Sequence, residues 1–297
     1  MKLKTVLCPI CEKKGKYKIL HPKNFSLKDF NKKIFSARRL PDNIHYRMVK
    51  CNQCGLVRSD PVIDVKNLNE LYKEAKFEYE NEVENLAETY LLAMNSILKK
   101  LPKNAKILEI GCGNGFVLKA LMDLGFKNVS GLEPSMDALE KSAPKVKKKI
   151  ILDVLKEDLF SKDSFDFIFF FQVFDHVPDP NKFLDLCHRI LKKDGYILSF
   201  NHNIDSISSK ILGERSPIID IEHTFLYSPK TMRKIFKKNK FLIEKVYSPY
   251  NILSLKHFFW LFPLPSKIKN LVIQSKFAII DKRIKIRLGN LCLISQK

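Results

Sequence analysis

The sequence predicts an α/β fold, in which helices cover both faces of a mostly parallel sheet, with a small cysteine-rich module in front of it. From about residue 105, short apolar runs alternate with segments of helical periodicity, which is typical of sheets built from strand–helix units. Residues 165–171 are apolar at nearly every position, as expected of a central strand that is buried on both faces. Two Cys-x-x-Cys pairs precede this region and define the module.

Length and composition limit the class of protein. The chain has 297 residues, of which 45% are hydrophobic, so it can form one large domain plus an appendage. No run approaches the roughly 18 apolar residues that a membrane-spanning helix needs, and the apolar part of residues 1–8 is too short for a secretory signal. Because seven cysteines are an odd number without an export signal, we expect reduced thiols and a cytoplasmic protein.

The positive charge is concentrated at the two ends of the chain. The formal net charge is +21, with +11 in residues 1–66, −3 in residues 67–230 and +13 in residues 231–297. Basic surfaces attract polyanions such as nucleic acid, anionic lipid and phosphorylated substrates. A general enrichment in lysine without a binding role is the alternative, and the charge distribution leaves both open.

Composition and periodicity divide the chain into three parts. Residues 1–66 are rich in lysine, cysteine and aromatic side chains and form the expected zinc-ribbon-like module. Residues 67–104 show apolar stripes at helical spacing and are expected to form a helical linker or cap, which Pro102 ends. Residues 105–297 form the predicted α/β domain, with an insertion at about 248–283.

The cysteine pairs of the module, Cys8 with Cys11 and Cys51 with Cys54, have the spacing of metal ligands. Two thiolates two residues apart can bind one metal ion, and two such pairs complete a tetrahedral four-cysteine shell for zinc. Gly55, directly after the second pair, suits the tight turn of a zinc knuckle. Four thiolates close the shell, so the zinc would be structural; a redox-active pair or a coincidence is the alternative.

Periodicity also assigns the elements of the α/β domain. The predicted strands are residues 106–110, 127–132, 149–152, 165–171, 195–200 and about 241–247, and the predicted helices are residues 116–124, 136–142 and 181–191. In an open parallel sheet, ligands bind in the crevice outside the carboxyl ends of the strands. Residues that follow these strands are therefore the first candidates for a binding site.

The first strand ends in a glycine-rich turn, residues 111–115, which lets the backbone approach a ligand closely before the next helix presents free N–H groups. Acidic residues follow the next two strands. Glu133 could accept hydrogen bonds from two ribose hydroxyls, and Asp153 could accept one from an adenine amino group. Phe171 and Gln172, at the end of the fourth strand, would line the same crevice. An oxidoreductase-type nucleotide-binding fold is the alternative, but its glycines are spaced GxGxxG, whereas those of this turn are spaced GxGxG.

These stretches together resemble the class I S-adenosylmethionine-dependent methyltransferases, of the small-molecule (type 11/12-like) kind. The resemblance is specific from about residue 105 to residue 200, and it rests on Glu109–Gly115, Gly131–Pro134, Asp153–Val154, Ser164–Ile168, Gln172–Val177 and Arg189–Gly195. It implies a Rossmann-like seven-stranded methyltransferase sheet whose last strand, about Arg287–Ser295, is antiparallel.

The resemblance also implies which residues bind the cofactor, S-adenosyl-L-methionine. Glu109 and the loop from Gly111 to Gly115 would hold its amino acid part, Glu133 its ribose, and Asp153 with Val154 its adenine. The full set of expected cofactor-binding residues is Glu109, Gly111, Cys112, Gly113, Gly115, Glu133, Pro134, Asp153, Val154, Phe171 and Gln172.

Histidines are the candidates for a general base, which helps when the methyl acceptor is a hydroxyl. His176, beside Asp175, follows the fourth strand, and His223 lies between the fifth strand and the next helix; the family places acceptor-facing residues at both positions. We therefore expect His176 and His223 to be catalytic, with His202 as a weaker third candidate. A histidine in such a loop could also only cap the following helix.

The loop after the fourth strand also restricts the acceptor. It lacks the Asn/Asp-Pro-Pro-Tyr/Phe segment of nucleobase amino methyltransferases, and no cysteine nucleophile lies in the corresponding loops. We expect a small-molecule, sugar or lipid-linked acceptor, methylated at oxygen. The alternative is a zinc-ribbon RNA methyltransferase or an RNA-binding protein, although the metal shell of such RNA enzymes commonly includes a histidine, which residues 51–54 lack.

The C-terminal insertion is basic and aromatic. Residues 250–277 interleave aromatic and leucine side chains with lysines, which suits either a helix at a membrane surface, with Trp260 at the headgroup level, or an amphipathic lid over the substrate pocket. Both favour a bulky, partly apolar or lipid-linked acceptor, and the first predicts a peripheral membrane association.

Overall fold

The computed structural model describes residues 3–13, 16–26, 44–64, 83–261 and 282–297. Its strands are β1 (Leu3–Lys4), β2 (Tyr17–His21), β3 (Met48–Cys51), β4 (Val57–Ser59), β5 (Val62–Ile63), β6 (Lys106–Ile110), β7 (Asn128–Leu132), β8 (Ile150–Ile151), β9 (Phe165–Phe171), β10 (Leu191–His202), β11 (Phe225–Leu226), β12 (Leu242–Tyr247), β13 (Asn251–Ser254), β14 (Arg283–Ile286) and β15 (Asn290–Gln296). Its α-helices are α1 (Val83–Leu98), α2 (Phe116–Asp123), α3 (Met136–Glu140), α4 (Pro144–Lys147), α5 (Pro180–Ile190), α6 (Ile207–Leu212), α7 (Pro229–Lys238) and α8 (Leu255–Leu261).

A seven-stranded sheet organises the α/β domain, in the order β12-β15-β10-β9-β6-β7-β8. Strands β6 to β10 pair in parallel, whereas β15 runs antiparallel to both β10 and β12. The predicted fold class, including the antiparallel last strand, is confirmed. Strand β10 begins earlier than predicted because Leu191 already pairs with Phe165, and a register shift separates this pair from the one at Tyr196.

The central strand β9 buries side chains on both faces, because successive residues of a strand point to opposite sides of the sheet. Phe167 and Phe169 contribute to one core, which helices α1 and α2 cover. Ile168 and Phe170 contribute to the other, which helices α5 and α7 cover. The prediction that this apolar strand is buried on both faces is therefore confirmed, because each face of β9 packs into a separate core.

Local sequence signals fix where the covering helices begin. Helix α5 starts with Pro180 after Asp179, whose side chain accepts a hydrogen bond from the Lys182 amide. Helix α7 starts with Pro229 after Ser228, which forms a reciprocal capping box with its third residue. These caps set the ends of the two loops that precede the helices, and both loops contribute to the site described below.

The N-terminal module shares a sheet with the α/β domain. Strands β2, β3 and β4 form an antiparallel sheet that β11 completes, in the order β11-β4-β3-β2. The short strands β1 and β5 pair with each other beside it. Thus the module is joined to the segment between β10 and α7 by backbone hydrogen bonds.

Besides parts of the N-terminal module, the predicted helical linker and the C-terminal insertion also extend beyond the described residues. The helical segment predicted from residue 67 is seen as α1 from Val83 onward, and the start of that segment lies outside the described ranges. The insertion forms the hairpin β13–β14 and helix α8, while residues 262–281 lie outside the described ranges. Within the described part of the chain, no helix is long and apolar enough to cross a bilayer.

Candidate functional site

The glycine-rich turn between β6 and α2 is built for close approach of the backbone. Gly111, Gly113 and Gly115 all have positive φ, at 72°, 55° and 74°. A Cβ atom on Gly111 would lie 2.5 Å from Cγ2 of Val173, and one on Gly115 would lie 2.4 Å from Cγ1 of Val146. Larger residues at these two positions would be strained and would also collide with their neighbours.

Glu109 provides a buried acid at the base of this turn. Its side chain is 2% exposed, and its Oε2 atom has no hydrogen-bond partner among the described residues. Burial, with a further contribution from the Glu133 carboxylate, raises the pKa of Glu109 well above its usual value. A buried carboxyl group with one unpaired oxygen fits a cationic ligand group, such as the ammonium of the amino acid part of S-adenosylmethionine.

Glu133, at the end of β7, is tied to the same turn. Its Oε2 accepts a hydrogen bond from the Gly113 amide at 2.8 Å, and its Oε1 accepts one from the Ser135 amide at 2.9 Å. Each carboxylate oxygen has two lone pairs, so both keep capacity for a ribose hydroxyl. Cys112 is buried beneath the turn, and burial raises the pKa of its thiol, so it is a neutral packing group.

The remaining predicted cofactor residues follow β7, β8 and β9. Pro134 is half-buried between Glu133 and Ser135. Asp153 accepts hydrogen bonds from the Val154 amide at 2.8 Å and from Nζ of Lys156 at 2.6 Å.

At the end of β9, the side chains of two neighbouring residues differ in their surroundings. The ring of Phe171 stacks on Tyr90 with 3.8 Å between centroids, so its side chain serves packing. Gln172 has a φ of 54°, and its buried Oε1 has no partner within the described ranges. The polar group available at this end of the crevice is therefore that of Gln172.

A second cluster lies beyond the glycine turn, at the carboxyl ends of β9 and β10. Its centre is the buried carboxylate of Asp175. The Nε2 atoms of His176, His202 and His223 lie 3.8, 4.0 and 4.0 Å from the Asp175 oxygens. The ring of His223 packs edge-to-face on both other rings, at centroid distances of 4.8 and 4.9 Å. The three histidines singled out in the sequence thus meet around one carboxylate.

Hydrogen bonds orient the groups of this cluster. Nδ2 of Asn201 donates to Oδ1 of Asp175 at 3.1 Å, whereas Oδ2 receives no hydrogen bond from any described residue. Nδ1 of His223 lies 2.8 Å from the carbonyl oxygen of Ile218. A carbonyl can only accept, so Nδ1 carries a proton, and in the neutral form of the ring Nε2 presents a lone pair.

Burial and charge set the protonation states around Asp175. Burial by itself would raise the pKa of Asp175, but interactions with His176, His223 and His202 outweigh it, and the pKa lies below its usual value. Burial is also the main reason why the pKa of His176 and that of His202 are lowered to about 4. At neutral pH the Asp175 carboxylate is therefore ionised, and the imidazoles of His176 and His202 are uncharged. The ligand atoms of Asp175, His176 and His223 also lie within 4.8 Å of one another, a spacing that a metal ion would accept.

The four cysteines of the module come together as predicted. Their sulfur atoms all lie within 4.8 Å of one another, and the Sγ atoms of Cys8 and Cys54 are 3.4 Å apart. The Sγ atoms of Cys11 and Cys51 are 4.0 Å apart. In a tetrahedral zinc site with Zn–S bonds of about 2.3 Å, neighbouring sulfurs are about 3.8 Å apart. The donor set and its spacing fit one zinc ion.

Two features of the site were missed by the sequence reasoning. It paired Asp175 only with the adjacent His176, although Asp175 is the common neighbour of all three histidines. It also overlooked Asn201, which holds Asp175. A signal for both was present, because the buried strand β10 ends in the polar residues Asn201 and His202 at the edge where β9 ends.

Comparison with known proteins gives a consistent picture. Residues 83–246 match the family model described as "Methyltransferase domain". The ubiquinone biosynthesis O-methyltransferase of Pelagibacter ubique is 30% identical over 155 residues, which are 48% of this chain and 64% of that protein. The enzyme of the same name from Glaesserella parasuis is 28% identical over 120 residues, which are 36% of this chain and 50% of that protein. The chain therefore covers less than two thirds of the length of either relative.

Solved structures share the fold at low sequence identity. A putative methyltransferase from Bacillus halodurans has a TM-score of 0.52 and 16% identity, and the match covers 69% of this chain and 98% of that chain. A structure of the Haloferax volcanii Trm112 methyltransferase activator in complex with a putative methyltransferase gives a TM-score of 0.51 and 17% identity, and covers 79% and 98%. At these identities the similarity concerns the fold alone.

Proposed function

The chain belongs to the class I S-adenosylmethionine-dependent methyltransferases, and we propose that it methylates a hydroxyl oxygen of a small-molecule, sugar or lipid-linked acceptor. The observation that carries this proposal is the buried Asp175 carboxylate surrounded by the imidazoles of His176, His202 and His223 beside the glycine-rich turn. Val173, two residues before Asp175, packs against Gly111, so the two clusters are adjacent. The names of the relatives, which are O-methyltransferases, support the same choice.

We propose that the cofactor is held by the residues that lie along the crevice. Glu109 would pair with its ammonium group, Glu133 with its ribose hydroxyls, and Asp153 with Val154 would frame the adenine. When bound, S-adenosylmethionine supplies the electrophilic methyl group. The protein's contribution is then to orient the acceptor and to remove its proton.

His223 is the general base that the geometry supports best. Its Nδ1–H is held by the Ile218 carbonyl, so Nε2 is left to accept the proton of the acceptor hydroxyl. The imidazolium formed would lie 4.0 Å from the buried Asp175 carboxylate, which stabilises it in a water-poor environment. His176 and His202 flank Asp175 and His223, and His176 is the second candidate for the same role.

An apolar surface close to the cluster supports a partly apolar or lipid-linked acceptor. Helix α6 begins five residues after His202 and carries Ile207 and Ile211 one turn apart, at 79% and 77% exposure. Large side chains this exposed and on one helix face suit contact with an apolar chain or a membrane surface. The insertion proposed for the same contact, residues 250–277, is described only up to Leu261.

We also propose that Cys8, Cys11, Cys51 and Cys54 bind one structural zinc ion. The support is the spacing of the four sulfurs and their burial, since three of the four side chains are buried. Four protein thiolates leave no open coordination position for a substrate. The zinc would therefore hold the module together and take no part in proton transfer.

The acceptor class can be tested with a fractionated cell extract. RNA, lipid and small-molecule pools are each incubated with the full chain and methyl-labelled cofactor. We expect label in the lipid or small-molecule pool, reduced by roughly 10²–10⁴ in His223→Ala, as removal of a general base requires. His188→Ala is the matched control, because that imidazole lies on helix α5, packs on Phe241 and has Asp163, Asp185, Lys240 and Lys297 as its charged neighbours, not Asp175. Label that appears only in RNA would overturn the proposal.

A further inference from the structure

The acceptor side of the site is held by the N-terminal module. Strand β4 pairs antiparallel with β11, so that Val57 lies opposite Leu226 and Arg58 opposite Phe225. The pairing continues at Ser59, whose amide donates to the Thr224 carbonyl at 2.9 Å. Its hydroxyl donates to the carbonyl of His223 itself at 3.0 Å. The proposed base is thus attached through its own backbone to a residue of the module.

The same segment buries its apolar side chains against the module. Ile218, Ile219 and Leu226 form one core cluster with Met48 and Val57. Ile218 also supplies the carbonyl that orients the His223 ring, so the packing of this segment fixes the position of the ring.

Further contacts extend this attachment along the segment. Ile221 packs with Tyr46 and Ile63 of the module. Nε2 of His45 lies 3.0 Å from Oε1 of Glu214, which follows helix α6. The segment between β10 and α7 therefore contacts residues of the module along much of its length.

On its other side, the segment is bonded to the Asp175 loop. The amides of Thr224 and Phe225 both donate to the carbonyl of Asp175, at 2.9 and 3.1 Å. The module, the His223 segment and the Asp175 loop therefore form one continuous hydrogen-bonded layer. By contrast, the proposed cofactor cradle, from Glu109 to Gln172, receives none of its hydrogen bonds from the described residues of the module.

The cysteine cluster lies at the start of this connection. Cys54 Sγ accepts a hydrogen bond from the Leu56 amide at 3.5 Å, and the Leu56 carbonyl accepts one from the Cys51 amide at 2.9 Å. Strand β4 begins at the next residue. The first cysteine pair is also attached to the α/β domain, since the carbonyl of Pro9 accepts hydrogen bonds from Asn181 and Lys238.

We propose that the cysteine module supports the acceptor side of the site through the His223 segment and that Ser59 is a positioning residue for His223. The inference rests on the proposed function, because it takes His223 as a group of the acceptor site. It adds that metal binding and methyl transfer are coupled through β4 and β11. Disorder in the module should disturb the acceptor side and leave the cofactor cradle intact.

Hydrogen exchange of the full chain tests the coupling without knowledge of the acceptor. In Ser59→Ala we expect the amides of Thr224 and Phe225 to exchange roughly tenfold faster. The variant loses the hydrogen bond to the buried His223 carbonyl, and this loss should shift the equilibrium for local opening of the segment by about one order of magnitude. Ser59→Thr keeps the hydroxyl, so these amides should exchange as slowly as in the wild type. Ser164→Ala, which removes a hydroxyl bond to the Ser161 carbonyl at the opposite end of the sheet, should leave these amides unchanged. Exchange in Ser59→Ala equal to that of the wild type would overturn the proposal.

Chelation of the zinc provides the second arm. Protein treated with a chelator, and shown by elemental analysis to have lost the metal, should exchange faster at residues 218–227, while its affinity for S-adenosylhomocysteine stays within about twofold of the untreated value. Equal exchange at residues 218–227 before and after metal loss would contradict the coupling.

A kinetic readout separates positioning from the proposed chemistry. Once a labelled acceptor fraction is in hand, Ser59→Ala should lower kcat for methyl transfer with the KM for S-adenosylmethionine unchanged. If exchange shows the coupling but His223→Ala transfers label normally, the proposed base is wrong, and only the structural link between the module and residues 218–227 stands. If His223→Ala is inactive but exchange shows no coupling, the proposed function stands and this inference fails.

Discussion

Replacement of Gly111 by alanine is the perturbation whose magnitude the structure defines best. The residue has a φ of 72°, and its added Cβ would lie 2.5 Å from Cγ2 of Val173. A non-glycine residue in the left-handed region costs about 1–2 kcal/mol. Forcing a packed neighbour such as Val173 to move costs about 1–3 kcal/mol more. We therefore expect Gly111→Ala to lower the free energy of unfolding by about 2–5 kcal/mol.

Gly125→Ala is the matched control for this change. Gly125 also has a positive φ, at 88°, but its added Cβ would meet only Cδ of Lys103, at an ordinary 3.9 Å. This variant should lose only the backbone contribution, about 1–2 kcal/mol. The difference between the two losses in free energy of unfolding therefore measures the cost of the contact with Val173, in the loop after β9.

Urea unfolding and calorimetric titration with S-adenosylhomocysteine are the assays for both variants. Since the amides of Gly111 and Cys112 both donate to the Leu132 carbonyl, a shift at Gly111 displaces the whole turn. We expect Gly111→Ala to bind S-adenosylhomocysteine at least about tenfold more weakly, a change of about 1.4 kcal/mol, and Gly125→Ala to bind it as the wild type does. Equal stability of the two variants together with unchanged affinity in Gly111→Ala would refute the reasoning.

Three further outcomes are expected. Asp175→Asn removes the charge that would stabilise the imidazolium and should lower methyl transfer by roughly 10²–10³ with unchanged affinity for S-adenosylhomocysteine. A loss of affinity as large as that of activity would contradict the separation of the two clusters. Because burial raises the pKa of Glu109, binding of the ammonium group of S-adenosylhomocysteine should release a proton from this carboxyl group, and the affinity should rise as the pH rises through that pKa. Calorimetry in buffers of different ionisation enthalpy detects the release. Glu109→Gln should abolish it. Elemental analysis should find one zinc per chain, and less than about a tenth of an equivalent in Cys51→Ser; wild-type protein without zinc would contradict the site.

The sheet could be predicted from the sequence because each of its strands carries a local signal. The run from Phe165 to Phe171 is apolar throughout, and the turn at Gly111 follows a short apolar strand, so neither depends on distant residues. The number of strands and the antiparallel direction of the last one came from the resemblance to a known family, whereas the order of the strands was not predicted. Shorter strands were harder to bound, since β8 comprises only Ile150 and Ile151 and is defined by its pairing with β7.

The sequence could not predict that Asp175 and the three histidines lie together. Asp175, His202 and His223 are separated by 27 and 21 positions in the chain, and only the pairing of β9 with β10 and the return of the segment before α7 bring them together. The attachment of β4 to β11 was also missed, because Val57–Ser59 and Phe225–Leu226 are two short strands without a pairing signal. Interactions between distant short segments depend on the assembled fold.

Titration of S-adenosylhomocysteine into the wild type and into Glu133→Ala examines whether the crevice binds the cofactor. We expect one binding site per chain in the wild type. We expect affinity at least about tenfold weaker in Glu133→Ala, because this change removes both the proposed ribose acceptor and the carboxylate that holds the Gly113 and Ser135 amides. Glu140→Ala, at an exposed position of helix α3, is the control and should bind as the wild type does. Unchanged affinity in Glu133→Ala would contradict the assignment of the crevice as the cofactor site.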